Sequence, residues 1–333
     1  MREIIIEKAI LHILDTTVDT TVLSEELLNL SETEEFLQKH IIKLLKDSEI
    51  KECIFEKEGN QIRENIRSLN DDNFIFQSQQ IANTLHSFML SNIDIPAADV
   101  VFCIFKEEQN RYIGILKFNY KEAYTHSLNI EDDKQTVSLM KYKTILANDT
   151  QKIDECIFIN LNDFSLKIKE KKYEINGQKD YYISNYLLKA QPAHSYKEQY
   201  KIVEKSAEEI VKKYYPGDSM KQAEVKIAIK NNVDENLEVD IDNIAREAFS
   251  DSEDMQNQYK SEISQNGFVE KKIKINEQIY EKLEKSHKII TDVGIKMDIP
   301  TDLLKDKRKV EFIVNQDGTM SILIKNINEM KNR

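Results

Sequence analysis

At 333 residues the chain exceeds one ordinary hydrophobic core and calls for two or three domains. Its net charge of −12 excludes a protein that coats nucleic acid or anionic membrane with its whole surface. A local basic patch remains open to it, because screening beyond about 10 Å lets such a patch act apart from distant acid. With only 7 glycines, 4 prolines and no tryptophan, there is little material for glycine-rich phosphate loops or proline-rich linkers.

The opening EIIIEKAILHILD is β-rich and leads through TTVDTTV into a turn or a second short strand. Glu7 and Lys8 interrupt its apolar run, and no segment reaches the roughly 18 apolar residues of a membrane span, so neither export nor a membrane is expected. In SETEEFLQKHIIKLLKDSEI, the residues Phe36, Leu37, His40, Ile41, Leu44 and Leu45 recur at helical spacing behind a Ser31–Glu34 capping box. A second helix is expected from about Asn70, with Phe74, Ile81, Leu85, Phe88 and Met89 as its stripe, and both helices should cover one side of a sheet. Strand-like runs DVVFCIF, RYIGILKFNY, CIFINL and SLKIKEKKYEI follow, then a turn at Asn176-Gly177 and a short helix that stops near Pro192. Residues 1–190 thus read as an α+β domain, a mixed sheet with covering helices.

Residues 191–266 change to long polar helices punctuated by Pro216-Gly217, with Asp218 as an N-cap, and read as a helical module. Positions 218–265 carry 12 acidic against 5 basic residues, a difference of −7. Residues 267–333 read as a small α+β C-terminal domain whose last strands, KVEFIV and MSILIK, are joined through an Asp317-Gly318 hairpin turn.

No nucleophile elbow, zinc-protease motif, phosphate-binding loop, paired-cysteine motif or dinucleotide fingerprint is present. The six histidines are dispersed, and Cys53, Cys103 and Cys156 read as small core residues. Glu224-Val225-Lys226 has the acid-x-lysine spacing of a metal-dependent nuclease, but it sits in a helical pattern that turns the two side chains apart. No catalytic residue, metal or cofactor is expected.

Basic residues on strands remain. In RYIGILKFNYKEAYTH, Tyr112, Gly114, Leu116, Phe118 and Tyr120 share one parity, while Lys117 and Lys121 share the other with Arg111. LMKYKTIL places Lys141 and Lys143 on one parity around Tyr142. SLKIKEKKYEI does the same for Lys167, Lys169 and Lys171, with Lys172 beside Tyr173. On paired strands these eight lysines make a cationic surface on one sheet, suited to phosphate contacts and little sequence preference. A solvated strand face is the competing reading. Further basic groups, Lys271, Lys272 and Lys274, then Lys305, Lys307, Arg308 and Lys309, admit the same two readings.

The runs YIGILKFNYKEAYTH, KTIL, QKIDECIFINL, EKKYEINGQKDYYIS and TDVGIKMDIPTDLLKDKRKVEFIVNQDGTMSILIKNI occur in an order that resembles the 37-kDa nucleoid-associated protein family of NdpA or YejK type, across essentially the full chain. That resemblance implies a cytoplasmic, non-enzymatic protein of the bacterial nucleoid that binds double-stranded DNA. It brings no set of contact residues, so the lysines rest on pattern alone. A homodimer whose basic faces grip one duplex is the base-rate expectation. The alternative is an adaptor whose acidic helical module recruits a DNA-processing protein and touches DNA little.

Overall fold

Residues Ile4–Leu14 form strand β1, whose buried positions are broken by a bulge between Ile6 and Lys8. The computed structural model describes residues 3–329 apart from 17–20, 57–58, 132–133, 146–147, 149, 217–218, 286, 301–302, 304–305, 316 and 318. It divides into two units, 1–194 and 195–333. No described helix is long and apolar enough to cross a membrane.

In the first unit the chain continues through β2 (Val22–Leu23), α1 (Leu30–Leu45), β3 (Lys51–Cys53), α2 (Gln61–Arg67) and α3 (Phe74–Leu90). It then forms β4 (Ala98–Glu107), β5 (Asn110–Asn119), β6 (Lys121–Glu131), β7 (Lys134–Ile145), β8 (Glu155–Asn160) and β9 (Leu166–Lys169). The hairpin β10 (Lys172–Ile175) and β11 (Gln178–Tyr181) and a π-helix at Ile183–Leu187 close the unit. Seven strands make one sheet in the order β2-β1-β4-β5-β8-β9-β3. All its pairings are antiparallel, so within the α+β class the expected mixed sheet is an antiparallel one.

The helices cover both faces of this sheet, where the sequence suggested one. On one face Ile10, Phe102, Ile115, Ile157 and Ile168 meet Phe74, Ile81, Leu85 and Met89 of α3 in a common core. On the other, Phe36 of α1 stacks on Phe118 at 5.7 Å between ring centroids and His40 meets the same ring edge-on at 5.4 Å. Two covered faces explain why β5 is buried at seven successive positions from Tyr112 to Phe118. The α1 cap also differs from expectation. The N-cap is Asn29, whose side chain accepts from the Ser31 backbone N–H, rather than Ser31, placing the helix start two residues earlier.

Gly114 is fixed by close approach rather than by backbone angle. A Cβ there would lie 2.9 Å from Cys103 Sγ, 3.2 Å from Phe105 Cε1 and 3.3 Å from Phe158 Cδ1, all fully buried. We expect Gly114→Ala to cost about 1–3 kcal/mol by overpacking, seen as a lower urea midpoint at unchanged slope. Adding Cys103→Ala, which removes the nearest atom, should recover part of the loss.

Strands β6 and β7 leave the sheet as a long two-stranded arm that packs chiefly on itself. At β10–β11 the expected turn forms, with Asn176 and Gly177 both at positive φ.

The second unit holds α4 (Tyr196–Tyr214), α5 (Ser219–Asn231), β12 (Glu238–Asp240), α6 (Ile241–Ala248), α7 (Glu253–Gln265), β13 (Lys272–Lys274) and α8 (Glu277–Lys285). A reciprocal Ser195–Glu198 capping box starts α4. Its core runs from Val203 through Ile244, Phe249 and Tyr259 to Ile273 and Leu283, and β12 pairs with β13, so packing is continuous across residue 266. Hairpins β14 (His287–Ile290) with β15 (Lys296–Ile299) and β16 (Val310–Val314) with β17 (Met320–Ile324) complete it. Gly217, Asp218, Lys305 and Gly318 lie outside the described residues.

Candidate nucleic-acid interface

The eight lysines expected on one sheet face are divided among several elements. Lys117 lies in β5 and Lys167 and Lys169 in β9 of the main sheet, whereas Lys121, Lys141 and Lys143 belong to the arm. Lys171 falls in the break between β9 and β10, and Lys172 opens β10. That break at Glu170-Lys171 ends the alternation on which a shared face depended.

Two of the eight point inward. Lys117, 3% exposed, donates to Glu155 Oε2 at 2.8 Å, and Glu155 is itself fully buried. Burial holds the Lys117 ammonium below the usual lysine range, with the facing Glu155 carboxylate opposing that shift. Lys169 is buried on the opposite sheet face, where it donates to Asp47 Oδ2 at 2.8 Å and to the Ile153 carbonyl at 2.9 Å. Burial pulls the Asp47 carboxyl upward, but the Lys169 bond and the Glu49 backbone N–H outweigh it and leave it below its ordinary value. A third such pair joins Lys51 to Glu170 at 3.1 Å, with the Lys51 ammonium 3.2 Å above the Tyr181 ring. Neither Lys117 nor Lys169 presents charge to solvent.

The others stand nearer the surface. Lys167 is half-buried, 5.7 Å from the Tyr112 ring centroid. Lys121 is exposed, and the exposed Lys141 pairs with Glu122 at 2.5 Å. Lys171 is exposed and pairs with Asp154 at 2.8 Å, while Lys172 is exposed 4.8 Å from the Tyr181 ring centroid. The side chain of Lys143 lies outside the described residues.

Sequence reasoning passed over Lys152, which is exposed in the connection before β8 and reaches Asp47 at 3.6 Å. No strand alternation marked it, and in the fold it reaches Asp47 while Lys171 pairs with Asp154. Contacts gather four exposed lysines at one end of the main sheet. Lys117 pairs with Glu155 across the ends of β5 and β8, and Asn119 Nδ2 donates to Tyr173 OH at 3.3 Å. Lys121 follows Asn119, Lys172 precedes Tyr173, and Lys171 and Lys152 bracket Asp154 through pairing and sequence. All four of these lysines are exposed, with Lys171 paired to Asp154 and Lys152 within reach of Asp47. Such a cluster can hold the oxygens of a polyanion but offers no base-reading geometry.

Glu209 of α4 and Glu262 of α7 face one another, and their shared hydrogen bond raises the Glu262 carboxyl above its ordinary value. Lys272 is spent on Glu238 at 3.1 Å and Asp234 at 3.7 Å. Glu224 and Lys226 lie on α5, where Lys226 pairs with Glu204 and Glu224 with Lys221. Among the described residues no group of three or more His, Cys, Asp or Glu side chains could hold a metal ion.

The sequence model of a family described as nucleoid-associated protein YejK matches residues 10–331. No curated protein matches the chain.

Proposed function

The chain belongs to the nucleoid-associated protein YejK family, and from that premise we propose that it binds double-stranded DNA, with little sequence preference, through the lysines at one end of its main sheet. A nucleoid-associated role and a nucleoid location follow from the family, whose members are generally non-enzymatic. The observation that supports the finer reading is the gathering of Lys121, Lys152, Lys171 and Lys172 around strand ends that three buried lysine–carboxylate pairs hold in place. Fixed lysine positions at a rigid edge favour phosphate contacts over base readout. A two-fold assembly would double the ammonium groups offered to one duplex.

Charge reversal of exposed lysines tests this reading. Lys171→Glu with Lys172→Glu should weaken binding to a random duplex about tenfold or more at moderate salt and flatten the log–log salt dependence by roughly two units. Unchanged affinity and slope in a folded variant would remove this surface from consideration. Reversal at Lys169 is unsuitable, because it would place like charges together in the interior.

The excess acid at positions 218–265 supports a second reading, an adaptor that recruits a DNA-processing protein and touches DNA little, with Glu262 of that stretch facing Glu209 of α4. Reversal of those two residues should leave duplex affinity unchanged and abolish partner binding only if this reading holds.

A further inference from the structure

The chain contains two Asn-Gly dipeptides, Asn176-Gly177 and Asn266-Gly267. In such a pair the asparagine side chain is open to attack by the next backbone nitrogen, because glycine has no Cβ to hinder the approach. Both dipeptides are exposed, so access to water does not separate them. Hydrogen bonding does. Asn266 caps the end of α7, its Nδ2 donates to Ser206 Oγ at 3.0 Å, and the Gly267 N–H donates to the Ser264 carbonyl at 3.1 Å. The amide nitrogen that would leave and the backbone nitrogen that would attack are both held there, the first by a fully buried serine. Asn176 and Gly177 instead form the two-residue turn of the β10–β11 hairpin, at φ 50° and 80°. Among the described residues nothing hydrogen-bonds to the Asn176 side chain or to the Gly177 N–H. Each strand of this hairpin has four residues, and a two-stranded ribbon of that size opens readily at its turn.

We infer that Asn176 is a site of spontaneous, backbone-assisted deamidation and that Asn266 is protected from it. The Gly177 nitrogen attacks Asn176 Cγ. A bond forms between that nitrogen and Cγ, the Cγ–Nδ2 bond breaks, and Nδ2 leaves as ammonia with the proton that the Gly177 nitrogen carried. Water then opens the five-membered ring at either carbonyl, giving aspartate or isoaspartate. The reacting atoms belong to adjacent residues, so the step needs no oxidant, metal or second protein. Each product sets one negative charge at the turn of the hairpin that begins with Lys172. The isoaspartyl product also adds one atom to the backbone of a two-residue turn, which works against the Ile175–Gln178 pairing that closes it. The same hairpin ends in Tyr181, whose ring centroid lies 3.2 Å from the Lys51 ammonium of the buried Lys51–Glu170 pair.

The test uses the full chain without DNA and does not depend on the proposed function. Protein held at pH 8 and 37 °C is digested at intervals, and mass spectrometry follows the peptides carrying each dipeptide for a gain of one mass unit and for separation of the two isomers. Asn176 should convert tenfold or more faster than Asn266, since two hydrogen bonds must first break at Asn266. In guanidinium chloride, where neither dipeptide is held, the two rates should draw level. Equal rates in the folded chain, faster conversion at Asn266, or a tenfold difference that persists in guanidinium chloride would each overturn the assignment.

Discussion

Replacing Lys117 by methionine should lower the stability of the chain by about 3–5 kcal/mol, the cost of leaving one member of a buried ion pair without its counter-charge. The Lys117 ammonium donates to Glu155 Oε2 at 2.8 Å, and the Glu155 side chain is fully shielded from water. After the substitution Glu155 retains the Asn119 amide at 3.2 Å, which cannot balance a full charge. The carboxyl must then protonate or draw water into the core, and either event costs stability. The double variant Lys117→Met with Glu155→Leu should recover most of the loss, since apolar groups of similar volume need no charge compensation. Urea unfolding of both variants checks the pair. A single variant as stable as the wild type would mean that the pair is not shielded.

Acidification should weaken the first unit through His12. Its ring is fully buried beside Phe102, accepts the Ser24 backbone N–H at Nδ1 (3.1 Å) and lies 2.9 Å from Ser78 Oγ at Nε2. Because Ser78 Oγ itself donates to the Ile75 carbonyl at 2.7 Å, the network fixes the neutral tautomer with its proton on Nε2. Burial depresses the imidazole from about 6.5 to about 4. A histidine whose folded value is depressed contributes stability that is present above the unfolded value of about 6.5 and lost as pH falls toward the folded value. The loss is about 3 kcal/mol across that window at about 1.4 kcal/mol per unit, and about 2 kcal/mol of it is gone by pH 5. His12→Gln keeps a donor for Ser78 and should be less stable at neutral pH but lack this dependence. Urea midpoints from pH 7 to pH 5 report the difference, and parallel curves for the two proteins would contradict the assignment.

Local pattern carried much of the fold. The spacing of Leu37, Ile41, Leu44 and Leu45 located α1, and Asn176-Gly177 located a hairpin. Pattern failed where distant parts of the chain decide burial. Lys117 looked solvent-facing because its strand alternates, yet helices cover both sheet faces and its counter-charge lies 38 residues away. The partner of Lys169 is 122 residues distant, beyond any local signal. The arm was missed because its tip, Glu131 to Lys134, has none of the glycine or asparagine that marks a tight hairpin. Lysine-rich strands therefore mixed lysines that build the sheet, Lys117 and Lys169, with lysines that are exposed, Lys121, Lys171 and Lys172.

The most direct measurement is fluorescence anisotropy of a labelled random-sequence duplex titrated with the full chain from low to physiological salt, beside a single-stranded control. Four outward lysines predict binding at low salt with a log–log slope of about −3 to −4 per protomer, shallower for the single strand. No binding at low salt, or a slope near zero, would contradict a phosphate-contacting role for Lys121, Lys152, Lys171 and Lys172.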